Sequence, residues 1–149
     1  MTTTDTASAA ASLTVPCPHC GKWNRIDAGR VSAGPKCGAC GTAIPLDRPL
    51  HLNDATFDRV IAATTVPVFV DFYADWCGPC KMMAPAVDEL ARTTAGTALI
   101  AKLDTEAAPR TAQRFQIRGI PTVIVFRGGR EATRKSGAMP VAALRSMLG

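Results

Sequence analysis

The sequence predicts an α/β domain preceded by a small cysteine-rich module, and three observations lead there. Val66 to Tyr73 is nearly continuous in apolar residues, as a strand covered on both faces requires, and it runs through a short turn into Trp76-Cys77-Gly78-Pro79-Cys80, where a helical apolar pattern begins at once. Further apolar runs then alternate with periodic segments to the end of the chain. Upstream, Cys17-Pro18-His19-Cys20-Gly21 and Cys37-Gly38-Ala39-Cys40-Gly41 stand sixteen residues apart. At 149 residues the chain has room for one ordinary domain and a small second one. The expected division is a leader over 1–12, a module over 13–48 and the α/β domain over 49–149.

The leader, Met1 to Ser12, is Thr, Ala and Ser with one Asp. It lacks the basic start and apolar core of a secretory signal, and the arginines of a transit peptide, so it reads as disordered. No run approaches the roughly 20 apolar residues of a membrane span, which predicts a soluble chain without a membrane partner. The net charge of +5 comes from scattered residues, and no basic and aromatic face emerges, which argues against nucleic acid as a partner.

In the module, the spacing of the two Cys-x2-Cys pairs is that of a zinc site. A glycine after each pair lets the backbone fold round so that both sulfurs face one ion. Cys17, Cys20, Cys37 and Cys40 as four thiolates make a closed, structural site holding one zinc per chain, and they leave His19 as a non-ligand. About 35 residues bury too little apolar surface to fold alone, and metal binding, worth roughly 10 to 16 kcal/mol in zinc-finger peptides, supplies the difference. Trp23, Ile26, Val31, Ile44 and Leu46 are the apolar residues expected to pack round it. Two disulfides in an exported protein are the alternative, for which no export signal is visible. Pro45 and Pro49 stiffen the connection to the domain.

Within the domain, Leu50 to Leu52 reads as a short strand, and Asn53 or Asp54 as the cap of a helix whose Phe57, Val60 and Ile61 fall at i, i+3 and i+4. The helix after Cys77 repeats at Met83, Val87 and Leu90, with Pro85 expected to kink it. Ala98 to Leu103 is the next parallel strand. Pro109 opens a short helix to Phe115 behind Ala108, a poor cap. Thr122 to Phe126 and Glu131 to Ser136 form a hairpin across Gly128-Gly129, and a last helix packs Val141, Leu144 and Leu148.

The chemistry gathers at the turn. Cys77 sits where a helix starts, so unpaired N–H groups and the positive end of the helix dipole favour its thiolate, the attacking species. Cys80, one turn further in and expected to be the more shielded, resolves. Gly78 permits the tight turn, and Pro79 suits a first helical turn that does not need its N–H. Asp71, a charge in the most apolar strand, is costly to bury unless paired, and burial raises its pKa toward the range of proton transfer.

Trp76-Cys77-Gly78-Pro79-Cys80 placed between strand and helix resembles the thioredoxin family, from about Pro49 to Gly149. With the front cysteine pairs, the chain resembles the zinc-containing second thioredoxins of bacteria. The resemblance implies the thioredoxin fold, a central mixed sheet flanked by helices. It implies Asp71 as the acid or base for Cys80, Lys102 as its partner, and a cis bond before Pro121. The backbone of Ile120 would pair with a substrate strand beside a flat apolar surface of Trp76, Pro79, Pro121 and Gly137. The implied activity is a cytoplasmic protein-disulfide reductase that acts on disulfide-containing proteins as a monomer. A thioredoxin reductase using NADPH would re-reduce it, so NADPH enters only indirectly and no organic cofactor binds this chain. An oxidase or isomerase is the runner-up enzyme, disfavoured by Pro79. A binding module led by the ribbon is the third reading, disfavoured by the intact pentapeptide. The ribbon could also serve as an oxidation sensor, with loss of metal altering access to Cys77.

Overall fold

The computed structural model describes residues 11–149. Most of the expected leader lies outside them, but Ser12 does not belong to it: strand β1 (Ser12–Pro16) pairs antiparallel with β2 (Trp23–Asp27), and a 3-10 segment, Ala28–Ala33, follows. Composition hid this hairpin because Ser12 and Thr14 face other threonines rather than water. Ser12 N–H donates to Thr65 Oγ1 at 2.8 Å, and Thr14 N–H to Thr64 Oγ1 at 3.1 Å.

The domain runs β3 (Leu50–Leu52), α1 (Phe57–Ala63), β4 (Val68–Tyr73), α2 (Gly78–Thr93), β5 (Leu99–Asp104), α3 (Pro109–Arg114), β6 (Thr122–Arg127), β7 (Arg130–Ser136) and α4 (Val141–Met147). This is the order expected. The five strands stand in the order β3-β5-β4-β6-β7, with β3, β5 and β4 parallel and β6 and β7 antiparallel. β4 begins at Val68 rather than Val66 because Pro67 has no N–H to give a ladder. Its alternation divides the core. Val68, Val70 and Phe72 join Phe57, Val60 and Leu103 on one face, and Phe69 joins Met83, Val87, Leu90 and Leu144 on the other.

Two caps depart from expectation. Asn53 Oδ1 accepts the N–H groups of Ala55 and Thr56 at 2.9 and 3.0 Å, so it shapes the turn ahead of α1 rather than capping the helix itself. Asp54 serves a different helix. Its carboxylate accepts Thr111 N–H at 2.8 Å, Thr111 Oγ1–H at 2.7 Å and Arg110 N–H at 3.2 Å. It thereby supplies α3 with the cap that Ala108 cannot, and these donors hold its carboxyl below the usual range.

The front module and the domain share one core. Leu13, Val15, Ile26, Val31, Ile44 and Leu46 are buried in the same cluster as Phe57, Val60, Ile61 and Phe72. The Arg59 guanidinium of α1 lies 4.4 Å from the ring centre of Trp23. Gly96, at φ +91°, passes so close that a Cβ there would stand 3.0 Å from Ala28 O. Thr64, Thr65 and Gly96 precede β4 and β5, whereas Cys77 follows the far end of β4. These anchors therefore lie about 20 Å, a strand's length, from the cysteine pair, so an effect of metal loss on access to Cys77 would have to be transmitted along the sheet. Because the core is continuous, Leu13→Ala is expected to destabilise the whole chain by about 2–5 kcal/mol. Denaturant melts followed by circular dichroism should show one shifted transition, not a separate early loss of the module.

Candidate functional site

Pairing on both sides fixes β4 at the middle of the sheet, so the turn at its C-terminal end is held firmly. Cys77, at φ −84° and ψ 111°, is the N-cap of α2, and its own sulfur accepts Cys80 N–H at 3.1 Å. Gly78 and Pro79 fill the first helical positions, and the helix continues unbroken through Pro85. Cys77 and Cys80 are joined as a disulfide with Cα atoms 5.2 Å apart. Exposure does not separate the two, at 3% and 4%, so Cys80 is no more shielded than Cys77 in this state. What distinguishes them is position: Cys77 caps the helix, and Cys80 sits inside its first turn.

The loop before β6 closes over the pair. Ile120–Pro121 is cis, and Cys77 Sγ lies 3.7 Å from Ile120 O. Gly137, at φ +100°, donates its N–H to Pro121 O at 2.8 Å, tying the end of β7 to this loop. Pro121 is buried, so its ring adds nothing to an exposed surface; the loop offers backbone instead. Trp76 is 69% exposed, and its Nε1–H donates to Glu106 Oε2 at 3.0 Å. Sequence reading missed Glu106, which holds the indole in place. It also missed Met82, which is 79% exposed and one helical turn beyond Pro79 on the same side of α2. Its signal was available: Met83 carries the core periodicity, which turns Met82 outward.

Asp71 is fully buried, and neither carboxylate oxygen has a hydrogen-bond partner among the described residues. Alternation with Phe69 places it on the face covered by α2, the helix that carries Cys80. Burial pushes its pKa up from 3.8 to about 6, against a downward pull from Lys102. Lys102 stands directly across the ladder from it, but its ammonium rests 4.5 Å from the ring centre of Tyr73 and forms no ion pair with Asp71. The two are neighbours in register rather than a salt bridge.

At the other end of the chain the four front sulfurs converge within 4.8 Å of one another, with His19 outside the group. Cys17 and Cys40 Sγ are 3.7 Å apart, and Cys20 and Cys37 Sγ 3.6 Å. A tetrahedral ion with metal–sulfur bonds of about 2.3 Å needs sulfurs about 3.8 Å apart, so the donor set fits. The two knuckles repeat one another. Cys17 N–H donates to Lys22 O and Gly21 N–H to Cys17 O, as Cys37 N–H does to Thr42 O and Gly41 N–H to Cys37 O. Gly21 and Gly41 hold φ of +79° and +76°, which a side chain would resist. The amide of Asn24, with the backbone N–H groups of Cys40 and Ala39, favours the Cys37 thiolate and draws its pKa down to about 6.

Residues 48–149 match the family model described as Thioredoxin, and residues 16–42 match the one described as Thioredoxin 2, N-terminal. The chain belongs to the thioredoxin family. Thioredoxin C-3 of Corynebacterium nephridii is 37% identical over 136 residues, covering 91% of this chain and 93% of its own length. A thioredoxin of Synechocystis sp. is 42% identical over 98 residues, 66% of this chain and 92% of that protein. A mutant thioredoxin from Halobacterium salinarum NRC-1 superposes with a TM-score of 0.64 at 35% identity, over 69% of this chain and 89% of that one. The chain is thus a thiol-disulfide oxidoreductase with the thioredoxin fold and a front ribbon built for a structural metal. Among the described residues no helix is long and apolar enough to cross a membrane.

Burial of an unpartnered acid sets a pH dependence. Because the folded-state pKa of Asp71 is raised, the native state holds its proton above pH 3.8, where the unfolded chain has begun to release it. The cost of folding therefore grows with pH from about 4 and is complete above about 6. Asp71→Asn is expected to stabilise the thioredoxin by up to about 3 kcal/mol at pH 8 and to make no difference below pH 4. Urea melts across pH 3.5 to 8 check this, and a constant difference at all pH values would contradict it.

Proposed function

We propose that this thioredoxin reduces protein disulfides through Cys77 and Cys80. The supporting observation is that the Cys77 sulfur caps α2, where Cys80 N–H and the helix dipole favour the thiolate that must attack. The Cys77 thiolate attacks one sulfur of a target disulfide, forming a mixed disulfide and releasing the other sulfur as a thiolate, which takes up a proton. Cys80, deprotonated, then attacks the Cys77 sulfur. The Cys77–Cys80 disulfide forms and the second target sulfur leaves reduced, so two electrons pass to the target.

Asp71 serves Cys80 as base and later as acid, in keeping with its raised pKa and its place on the face that α2 covers. Lys102 tunes that carboxyl through space. Extended polypeptide docks across Trp76, Pro79 and Met82 and pairs with the backbone of Ile120, beside Gly137. A thioredoxin reductase drawing on NADPH returns the electrons. The front ribbon holds one zinc through Cys17, Cys20, Cys37 and Cys40, an arrangement of bound thiolates that suits the reducing cytoplasm.

Insulin reduction coupled to NADPH and a thioredoxin reductase tests the cycle. Wild type should turn over and Cys77→Ser should be inactive, while a wild type as inactive as the variant would overturn the proposal. Asp71→Asn should slow turnover, and a rate unchanged between pH 6 and 9 would remove Asp71 from the mechanism. Metal analysis of the reduced protein should give one zinc and two reactive thiols per chain, rising to six in a chelating denaturant.

A further inference from the structure

The repeat of the two cysteine knuckles is broken at one position. Two residues after Lys22, whose carbonyl closes the first knuckle, stands Asn24; two residues after Thr42, which closes the second, stands buried Ile44. Asn24 uses both ends of its amide. Its Nδ2 donates to Lys22 O at 3.0 Å in the first knuckle and to Cys37 Sγ at 3.5 Å in the second. Its Oδ1 accepts Gly38 N–H at 2.9 Å, the residue next to Cys37. Asn24 lies on β2, the strand whose partner β1 is fastened to Thr64 and Thr65, so its backbone is fixed independently of any metal.

We propose that Asn24 is a positioning residue of the metal centre: it joins the two knuckles in the register that brings four sulfurs together, and its N–H on Cys37 moderates the charge that this thiolate presents to the ion. Each knuckle supplies its own backbone donors to its first cysteine, His19 and Cys20 N–H to Cys17 Sγ and Ala39 N–H to Cys37 Sγ. Those bonds shape a knuckle but tie nothing across. The side chain of Asn24 makes a cross-tie, and a hydrogen bond to a ligating sulfur is the kind of outer contact that sets metal affinity. The geometry also explains why the second knuckle needs no counterpart: one amide bonded to Lys22 O, Gly38 N–H and Cys37 Sγ already serves both, leaving the position of Ile44 free for the shared core.

This inference rests on the structural-metal reading, and the test separates the two. Full-length wild type, Asn24→Asp and Asn24→Ala are loaded with zinc and titrated against a competing chromophoric chelator, and the release rate is followed in chelator excess. Asn24→Asp keeps the size and the acceptor for Gly38 N–H but loses both donor bonds and adds a negative charge beside Cys37, whereas Asn24→Ala loses the bonds without the charge, so a weakening common to both reports the lost bonds. Both variants are expected to bind zinc at least tenfold more weakly and to release it faster. With cobalt(II) in place of zinc, the sulfur-to-metal charge-transfer band should move to lower energy in both, since an unbonded thiolate gives up electron density more readily. Circular dichroism verifies folding, and if Asn24→Ala fails to fold, Asn24→Asp decides. A loss under threefold in Asn24→Asp, or an unmoved cobalt band, overturns the role of Asn24. A wild type that binds neither metal overturns the structural-metal reading instead.

Discussion

A backbone N–H group at the start of a helix needs an acceptor, and here the acceptor is the sulfur of Cys77. The bond from Cys80 N–H to Cys77 Sγ caps α2, and in the reduced chain the same donor would favour the Cys77 thiolate that the proposed cycle needs. For it to form, β4 must deliver Cys77 to one place. Pairing with β5 on one side and β6 on the other gives the strand no freedom to shift register, because a slip by one residue would turn Phe69 and Asp71 out of one face and Val70 out of the other. The same antiparallel partner, β6, starts just after the cis Pro121, so the loop that approaches the sulfur is set by the strand that sets the sulfur.

The molecule is organised by its two ends. The reactive pair stands at the C-terminal ends of the parallel strands, and the cysteine ribbon is fastened at the other end, through Thr64 and Thr65 ahead of β4 and by the close approach of Ala28 to Gly96 ahead of β5. Two thiol chemistries therefore occupy one chain without meeting. A module of this size could not hold itself by burial alone, yet it need not depend on metal alone either, because Leu13, Val15, Ile26 and Leu46 bury against α1 and its neighbours. The four-cysteine site would close the knuckles round a structural metal, and the shared core holds the hairpin from which they project.

The sequence carried the fold and the cysteine chemistry because both are local. An apolar run of strand length, a helix with Met83, Val87 and Leu90 in period, and cysteine pairs followed by glycine are each legible within a dozen residues. What escaped was whatever depends on distant partners. Nothing near Asp54 says that its carboxylate caps a helix starting at Pro109, and nothing near Trp76 names Glu106 as the acceptor of its indole N–H. Ser12 looked like leader because its partner, Thr65, lies some fifty residues on. The family resemblance pointed to Lys102 as the partner of Asp71, and the ladder sets the two side by side. But the approach of the Lys102 ammonium to the Tyr73 ring rather than to the Asp71 carboxylate depends on side-chain packing that no register conveys.

That placement bears on the proton transfer proposed for Asp71. An ion pair would have held Asp71 charged and lowered its pKa, leaving a carboxylate too weak to take a proton from a thiol near neutral pH. With the ammonium drawn aside over Tyr73 and no hydrogen bond to either oxygen, burial prevails and the acid titrates at about 6. Burying an unpartnered carboxyl in the central strand forgoes stability, and the raised pKa that results is what the proposed role of Asp71 as proton acceptor requires. The rest of that face, Phe69, Met83, Val87, Leu90 and Leu144, is buried and apolar, and it is this surrounding that makes the ionised form of Asp71 costly.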